Sequence, residues 1–250
     1  MEYAILLLLS TLVGLLFWLL RGQAGLRRGL NQLREQLERP APASPTFDRL
    51  VLLLSLRDRL ELRQGLPHSP NWSAAPDFLQ LIVEHALERH PRRILECGSG
   101  LSSLMLARCC RLNGGGRLTS LEDGASYARR SQAGIERYRL ADVGRVIHAP
   151  LREYRLGGET FRWYDLEGLA QGPIEMLVID GPVGALHPLA RYPALPLLYD
   201  RLAPGCVIFL DDAARPDERE LVRRWLAAYP GLSHQYLATE RGCSILRLAG

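Results

Sequence analysis

Residues 92–107, RRILECGSGLSSLMLA, pass from an apolar strand into an acid, then a turn of glycines and serines, then a second apolar run with helical spacing. A glycine turn between a strand and a helix sits at the strand's carboxyl end, where open α/β sheets bind ligands. The acid decides which ligand. A dinucleotide pyrophosphate wants amide donors and no negative charge close by, so Glu96, two residues ahead of Gly98, suits it poorly. A ligand with a cationic centre and an amino-acid end suits this turn better.

Outward from this stretch the alternation is regular. RILEC, RLTSLE, RVIHAP, EMLVID and CVIFLDD read as strands; LSSLMLARCC, SYARRSQAGIERYRL, LPLLYDRL and DERELVRRWLAAY read as helices. Short apolar runs alternating with amphipathic helices predict a doubly wound, mainly parallel sheet covered on both faces. The closing SHQYLATERGCSILRLAG holds two apolar stretches joined by a turn too short for a crossover helix, which makes its partners antiparallel. The expected fold is α/β, seven-stranded, with a reversed last strand. Ahead of it, residues 47–66 and 77–89 read as helices separated by the loop PHSPNWSAAP.

Composition narrows the function classes. All 31 basic residues are arginine, so no lysine can serve as base or Schiff-base nucleophile. The arginines are scattered among acids along helices rather than massed with aromatics, so no nucleic-acid partner is expected. Cys97, Cys109, Cys110, Cys206 and Cys243 show no C-x-x-C spacing and fall in apolar runs, the pattern of buried reduced thiols and a reducing compartment.

Residues 4–20 carry no charge, and at 1.5 Å per residue such a helix reaches roughly 26 Å, enough for a bilayer core. Arg21, Arg27, Arg28 and Arg34 all follow it, which by the positive-inside rule sets the remainder on the cytoplasmic side. The expected organisation is therefore a transmembrane anchor at 1–21, an amphipathic helix with a Pro-rich linker at 22–46, and a catalytic domain at 47–250. Leu26, Leu30, Leu33 and Leu37 would give that helix an apolar seam, usable for a homodimer or a membrane surface.

Over residues 70–250 the sequence resembles the class I S-adenosylmethionine (SAM) dependent methyltransferases. LECGSGLSS is similar to their first motif, LTSLED to their second, and MLVIDGP and GCVIFLDDA to their later strand ends. The resemblance implies SAM as cofactor, with Glu96, Gly98, Ser99 and Gly100 along its methionine and ribose, and Ser102 and Ser103 offering hydroxyls at the helix start. Glu122 would accept both ribose hydroxyls, with Asp123 beside it, and Asp180 would be a further cofactor contact. The 26 residues from Glu96 to Glu122 are what one strand-helix-strand unit requires.

Asp180, Asp211 and Asp212 stand at the ends of neighbouring strands. Carboxylates so close raise one another's pKa unless a cation lies between them. They resemble the ligand set of the catechol-type O-methyltransferases, which would imply Mg²⁺ or Mn²⁺. Two positions depart from that pattern: Asp212 replaces an amide, and Val183 stands where those enzymes place a lysine. Aspartates that merely cap helices or shape the cleft are the other reading. With no lysine available, His187 or Asp180 would take the acceptor's proton, His187 being equally readable as a surface histidine. Arg191 and Arg215 would contact an anionic substrate or pair with Asp211 and Asp212. DGPVGALHPLARYPALPLL and LDDAARPDERELVRRW resemble a bacterial branch sharing its Asp-Gly-Pro turn with plant methyltransferases of wall polysaccharides. The expected function is O-methylation, by an enzyme held at the inner membrane as a single-pass protein, of a small-molecule, saccharide or lipid-linked acceptor. A non-catalytic SAM-binding or membrane scaffold protein and an NAD-dependent oxidoreductase are the alternatives.

Overall fold

The computed structural model describes residues 45–67 and 74–250. The chain divides into two compact units, 1–48 and 49–250, and the second holds everything below except the first turn of one helix. The transmembrane span read at 4–20 and the Leu seam at 26–37 lie outside the described residues. Among the described residues no helix is long and apolar enough to cross a membrane.

Helices α1 (Pro45–Arg59) and α2 (Pro76–Arg89) precede strand β1 (Arg93–Cys97), α3 (Leu101–Leu112), β2 (Arg117–Glu122), α4 (Ala125–Arg137) and β3 (Gly144–His148). A hairpin follows, β4 (Leu151–Leu156) and β5 (Glu159–Tyr164), then β6 (Ile174–Ile179), α5 (Ala194–Leu198), β7 (Leu202–Leu210), α6 (Pro216–Ala228), β8 (Leu232–Leu237) and β9 (Cys243–Leu248). The main sheet has seven strands in the order β3-β2-β1-β6-β7-β9-β8, while β4 and β5 pair as a separate two-stranded sheet. Strands β1, β2, β3, β6 and β7 run parallel, and β9 runs antiparallel to both β7 and β8. The order reverses between β1 and β6, which opens a crevice there for a ligand.

Alternation along the strands splits the core into two layers. Met176 and Val178 of β6 face a cluster with Phe78, Ile82, Met105 and Ile94, whereas Leu177 and Ile179 face Leu195, Leu221 and Trp225 across the sheet. Each such side chain contributes about 1.5–3 kcal/mol by leaving water. Helix α3 is buried along most of its length, including Cys109 and Cys110, which explains why its sequence is apolar all round. All five cysteines are free and buried, as expected.

Three local readings are corrected. The helix expected over 47–66 ends at Arg59, because the chain turns at Glu61, which takes a left-handed φ of 51°. The segment LPLLYDRL is helical only as α5 and a 3₁₀ turn, Tyr199–Arg201, and β7 then starts at Leu202, ahead of the Cys206 expected from sequence. The β4–β5 hairpin was not expected at all.

Candidate active site

A cleft of about 880 Å³ opens at the carboxyl ends of β1, β2, β6 and β7. Its wall takes Gly98–Ser102 from the turn after β1, Glu122–Gly124 from the turn after β2, Tyr164 from the end of β5, and Asp180–Ala185 from the turn after β6. Arg191, Asp212, Arg215 and the first turn of α6 close the other end.

The first turn owes its shape to Gly98. Its φ is +100°, and a Cβ there would meet Gly181 N at 3.3 Å and Asp180 C at 3.4 Å, so the turns after β1 and β6 approach each other closely only because residue 98 has no side chain. Asp180 N donates to Cys97 O at 2.9 Å, and Gly98 N to Leu121 O at 2.9 Å, which ties this corner to both neighbouring strands.

Glu96 and Ser103, read from sequence as cofactor contacts, are one layer below the cleft wall. The Glu96 carboxylate is buried and accepts from Ser103 Oγ and Ser120 Oγ, while Ser103 Oγ accepts from Gly100 N at 3.0 Å. Burial raises its pKa, against the lowering pull of the serine hydroxyls, and Glu96 Oε1 has no hydrogen-bond partner. Glu96 thus fastens the start of α3 to β2. Ser99, Gly100 and Ser102 do line the cleft, as does Asp123.

Glu122 is where the sequence reading put it. At the end of β2 its Oε1 accepts from Gly124 N at 3.0 Å, and its Oε2 from Ser99 N at 3.1 Å and Ser99 Oγ at 2.8 Å. Burial raises its pKa, and the donors from Gly124 and Ser99 pull it back down. A carboxylate offers about four lone-pair sites and three are taken, so one acceptor position remains on Oε1 for a hydroxyl entering from the cleft, and a second opens only if that ligand displaces the Ser99 hydroxyl from Oε2. A bare backbone turn beside this carboxylate fits the ribose and amino-acid end of SAM.

At the opposite end Arg191 is 3% exposed and has converging acceptors. Its Nε donates to Pro182 O at 3.3 Å, Nη1 to Asp211 O at 2.9 Å, and Nη2 to Asp180 O at 2.8 Å, Asp180 Oδ1 at 3.3 Å and Asp212 Oδ2 at 2.9 Å. Arg215 Nη1 reaches Asp212 Oδ2 at 2.9 Å and Glu218 Oε1 at 3.8 Å, so both arginines pair with acids of the site. Asp212 takes a left-handed φ of 60°, which an aspartate tolerates better than most residues.

Asp180, Asp211 and Asp212 do converge, each offering an oxygen within 4.8 Å of the others. A divalent ion binds carboxylate oxygens at about 2.0–2.6 Å, and Arg191 Nη2 already stands between the Asp180 and Asp212 oxygens it would use. The ion would have to displace a guanidinium whose other hydrogen bonds all end on main-chain carbonyls. Asp211 is buried and does not line the cleft, and neither of its carboxylate oxygens has a hydrogen-bond partner. Burial, then the charges of Asp180 and Asp212, push its pKa up to about 8. The residues present do not fit a resident Mg²⁺ or Mn²⁺.

Asp180 is raised to about 6, by burial first, with Arg191 opposing and Asp212 adding to the rise. His187 is not part of the cleft wall. Its Nε2 accepts from Arg162 N at 3.1 Å and its Nδ1 lies 2.9 Å from Pro188 O, so the ring is held against the β5 backbone. Of the two bases read from sequence, the structure brings only Asp180 to the cleft.

One contributor to the site escaped the sequence reading, and a second arrives on an element the sequence did not predict. Glu218, buried in the first turn of α6, lies 3.9 Å from Arg191. The hairpin delivers Tyr164, buried against the turn after β6: a Cβ on Gly181 would fall 2.1 Å from its hydroxyl. The Gly157–Gly158 pair between two alternating runs was the available signal for that hairpin.

Comparison with known proteins agrees with this geometry. Residues 95–213 match a family described as a methyltransferase domain. An O-methyltransferase from Bacillus cereus, solved with S-adenosylhomocysteine (SAH), superposes with a TM-score of 0.56 at 19% identity, over 88% of this chain and 97% of that one. The O-methyltransferase TomG of Streptomyces achromogenes, involved in tomaymycin synthesis and solved with SAM, gives 0.54 at 18%, over 80% and 89%. An SAH-bound methyltransferase from Podospora anserina gives 0.56 at 16%, over 89% and 96%. At these identities the likeness is one of fold. No curated protein matches the sequence.

Proposed function

We propose that this chain is a class I SAM-dependent methyltransferase that methylates an acceptor oxygen held beside Asp180 in the cleft. The observation that carries the reading is the division of one cleft into two ends. Glu122 stands at one end and the Arg191–Asp212 pair at the other; between them, where the turns after β1 and β6 meet, lies the half-buried carboxylate of Asp180, raised to a pKa of about 6.

The cofactor, when bound, supplies a methyl group on a positively charged sulfur. The chain's own part is alignment, exclusion of water and one proton transfer. Glu122, Ser99 and Gly124 fix the ribose end. Asp180, ionised near neutral pH and with its pKa of about 6 more basic than an ordinary carboxylate, receives the acceptor's hydroxyl proton as the oxygen forms its bond to carbon and the carbon–sulfur bond breaks. The products are a methyl ether, a neutral thioether and a protonated Asp180, which returns its proton to solvent. Arg191 holds Asp180 in place through its main-chain and side-chain oxygens.

The acceptor is read as a small molecule, a saccharide or a lipid-linked glycan, and the enzyme as single-pass at the inner membrane with its domain on the cytoplasmic side. The uncharged run at 4–20 and the arginines after it support this reading. Incubating the full chain with methyl-labelled SAM and separate envelope and soluble extracts tests it. Alkali-stable label in the envelope fraction is expected. SAH binding without incorporation would make the protein a non-catalytic binder, and tighter binding of NAD than of SAH would make it an oxidoreductase.

A further inference from the structure

We infer that Arg191 is the built-in cation of the Asp180–Asp212 cluster, taking the position a divalent ion would hold, so that this enzyme positions a non-chelated acceptor without metal. The inference rests on the methyltransferase reading above. Its ground is geometric. Nη2 of Arg191 touches one carboxylate oxygen from each of Asp180 and Asp212, the two acids of the cluster that line the cleft.

The guanidinium is not a mobile surface group. It is 3% exposed, and every one of its nitrogens has an acceptor: Pro182 O for Nε, Asp211 O for Nη1, Asp180 and Asp212 for Nη2. Three of those acceptors are main-chain carbonyls at the ends of β6 and β7, which no divalent ion needs satisfied and which would lose their donor if the arginine left. Glu218 adds a further carboxylate at 3.9 Å, so the charge of the arginine is opposed on three sides. An ion at the same point would lie against this fixed positive charge, whose repulsion inside a partly dry cleft is strong.

The consequence for substrate follows. A metal orients a pair of vicinal hydroxyls by chelating both oxygens; a guanidinium whose three nitrogens all donate to the protein already does not. Arg191 therefore acts as a positioning residue, through Asp180, on an acceptor presenting one hydroxyl at a time. Catechol-like chelation is not required.

Manganese is the probe. Mn²⁺ is titrated into the full chain with SAH present, and free ion is read by electron paramagnetic resonance; SAH affinity is measured separately with and without chelator. The wild type is expected to leave Mn²⁺ free up to about 1 mM. SAH affinity should be unchanged by chelator. Arg191→Ala should bind Mn²⁺ about 100-fold more tightly than wild type, the repulsion being gone and the carboxylates exposed. Arg191→Lys, which keeps the charge, should stay as metal-free as wild type and serves if the alanine variant does not fold. One Mn²⁺ bound by wild type at micromolar concentration, and lost in Asp212→Asn, would overturn the inference, as would a folded Arg191→Ala with no gain in Mn²⁺ affinity. Failure of SAH to bind under any condition would instead strike at the methyltransferase reading.

Discussion

Replacing Asp211 by Asn should stabilise the protein at alkaline pH and leave it little changed in acid. Asp211 is fully buried, neither of its carboxylate oxygens has a hydrogen-bond partner, and its pKa rises from 3.8 to about 8. Its folding contacts are main-chain: Asp211 N donates to Ile179 O at 3.0 Å, and its carbonyl accepts from Arg191 Nη1 at 2.9 Å. Both survive the substitution. Because the folded pKa lies above the unfolded one, the folded state holds a proton that the unfolded state releases above pH 4. Stability contributed by this group is complete below about pH 4, falls as pH rises towards 8, and levels off beyond. One proton per pH unit is worth about 1.4 kcal/mol, so between pH 6 and 8 the wild type should lose about 2–3 kcal/mol that Asp211→Asn does not. In a domain of this size that is roughly 5–10 °C in melting temperature. Melting curves of both proteins from pH 5 to 9 measure it. Parallel curves, with a constant gap at every pH, would refute the assignment of a proton to Asp211.

Two further outcomes concern the cleft. Gly98→Ala places a Cβ at a φ of +100° and 3.3 Å from Gly181 N. It should cost about 1–2 kcal/mol in stability and, by prising apart the two turns, weaken SAH binding by about tenfold or more in calorimetric titration. For catalysis, the rate at limiting acceptor should climb with pH through about 6 and then plateau, as Asp180 loses its proton. Asp180→Asn should abolish that limb and lower turnover by about 10²–10⁴, with SAH affinity nearly intact.

The parallel strands could be read from the chain because β1, β2, β6 and β7 are short apolar runs, buried on both faces, each ending in a polar turn. Glu122 was legible for the same reason: a strand end fixes where its side chain stands. What the sequence hid were pairings between segments distant along the chain. His187 sits in a loop seven residues after Asp180 and looks poised over the cleft, yet its ring is taken by Arg162 on a hairpin that was not foreseen. An ion pair of Arg191 with the strand-end acids was legible, but not the three carbonyls at the ends of β6 and β7 that fix its guanidinium, nor its contact with Asp180. Glu96 reads as a ligand contact by its place before the glycines, but β2 supplies Ser120 and α3 supplies Ser103, and these absorb it into the scaffold.

The most direct test of the account is calorimetric titration of SAH into the wild type and into Glu122→Ala. Loss of the carboxylate proposed to accept from the ribose should raise the dissociation constant by about tenfold to a hundredfold, at unchanged melting temperature within a few degrees. An affinity equal to that of the wild type would mean that the cofactor does not lie across the ends of β1 and β2, and the site described here would be the wrong one.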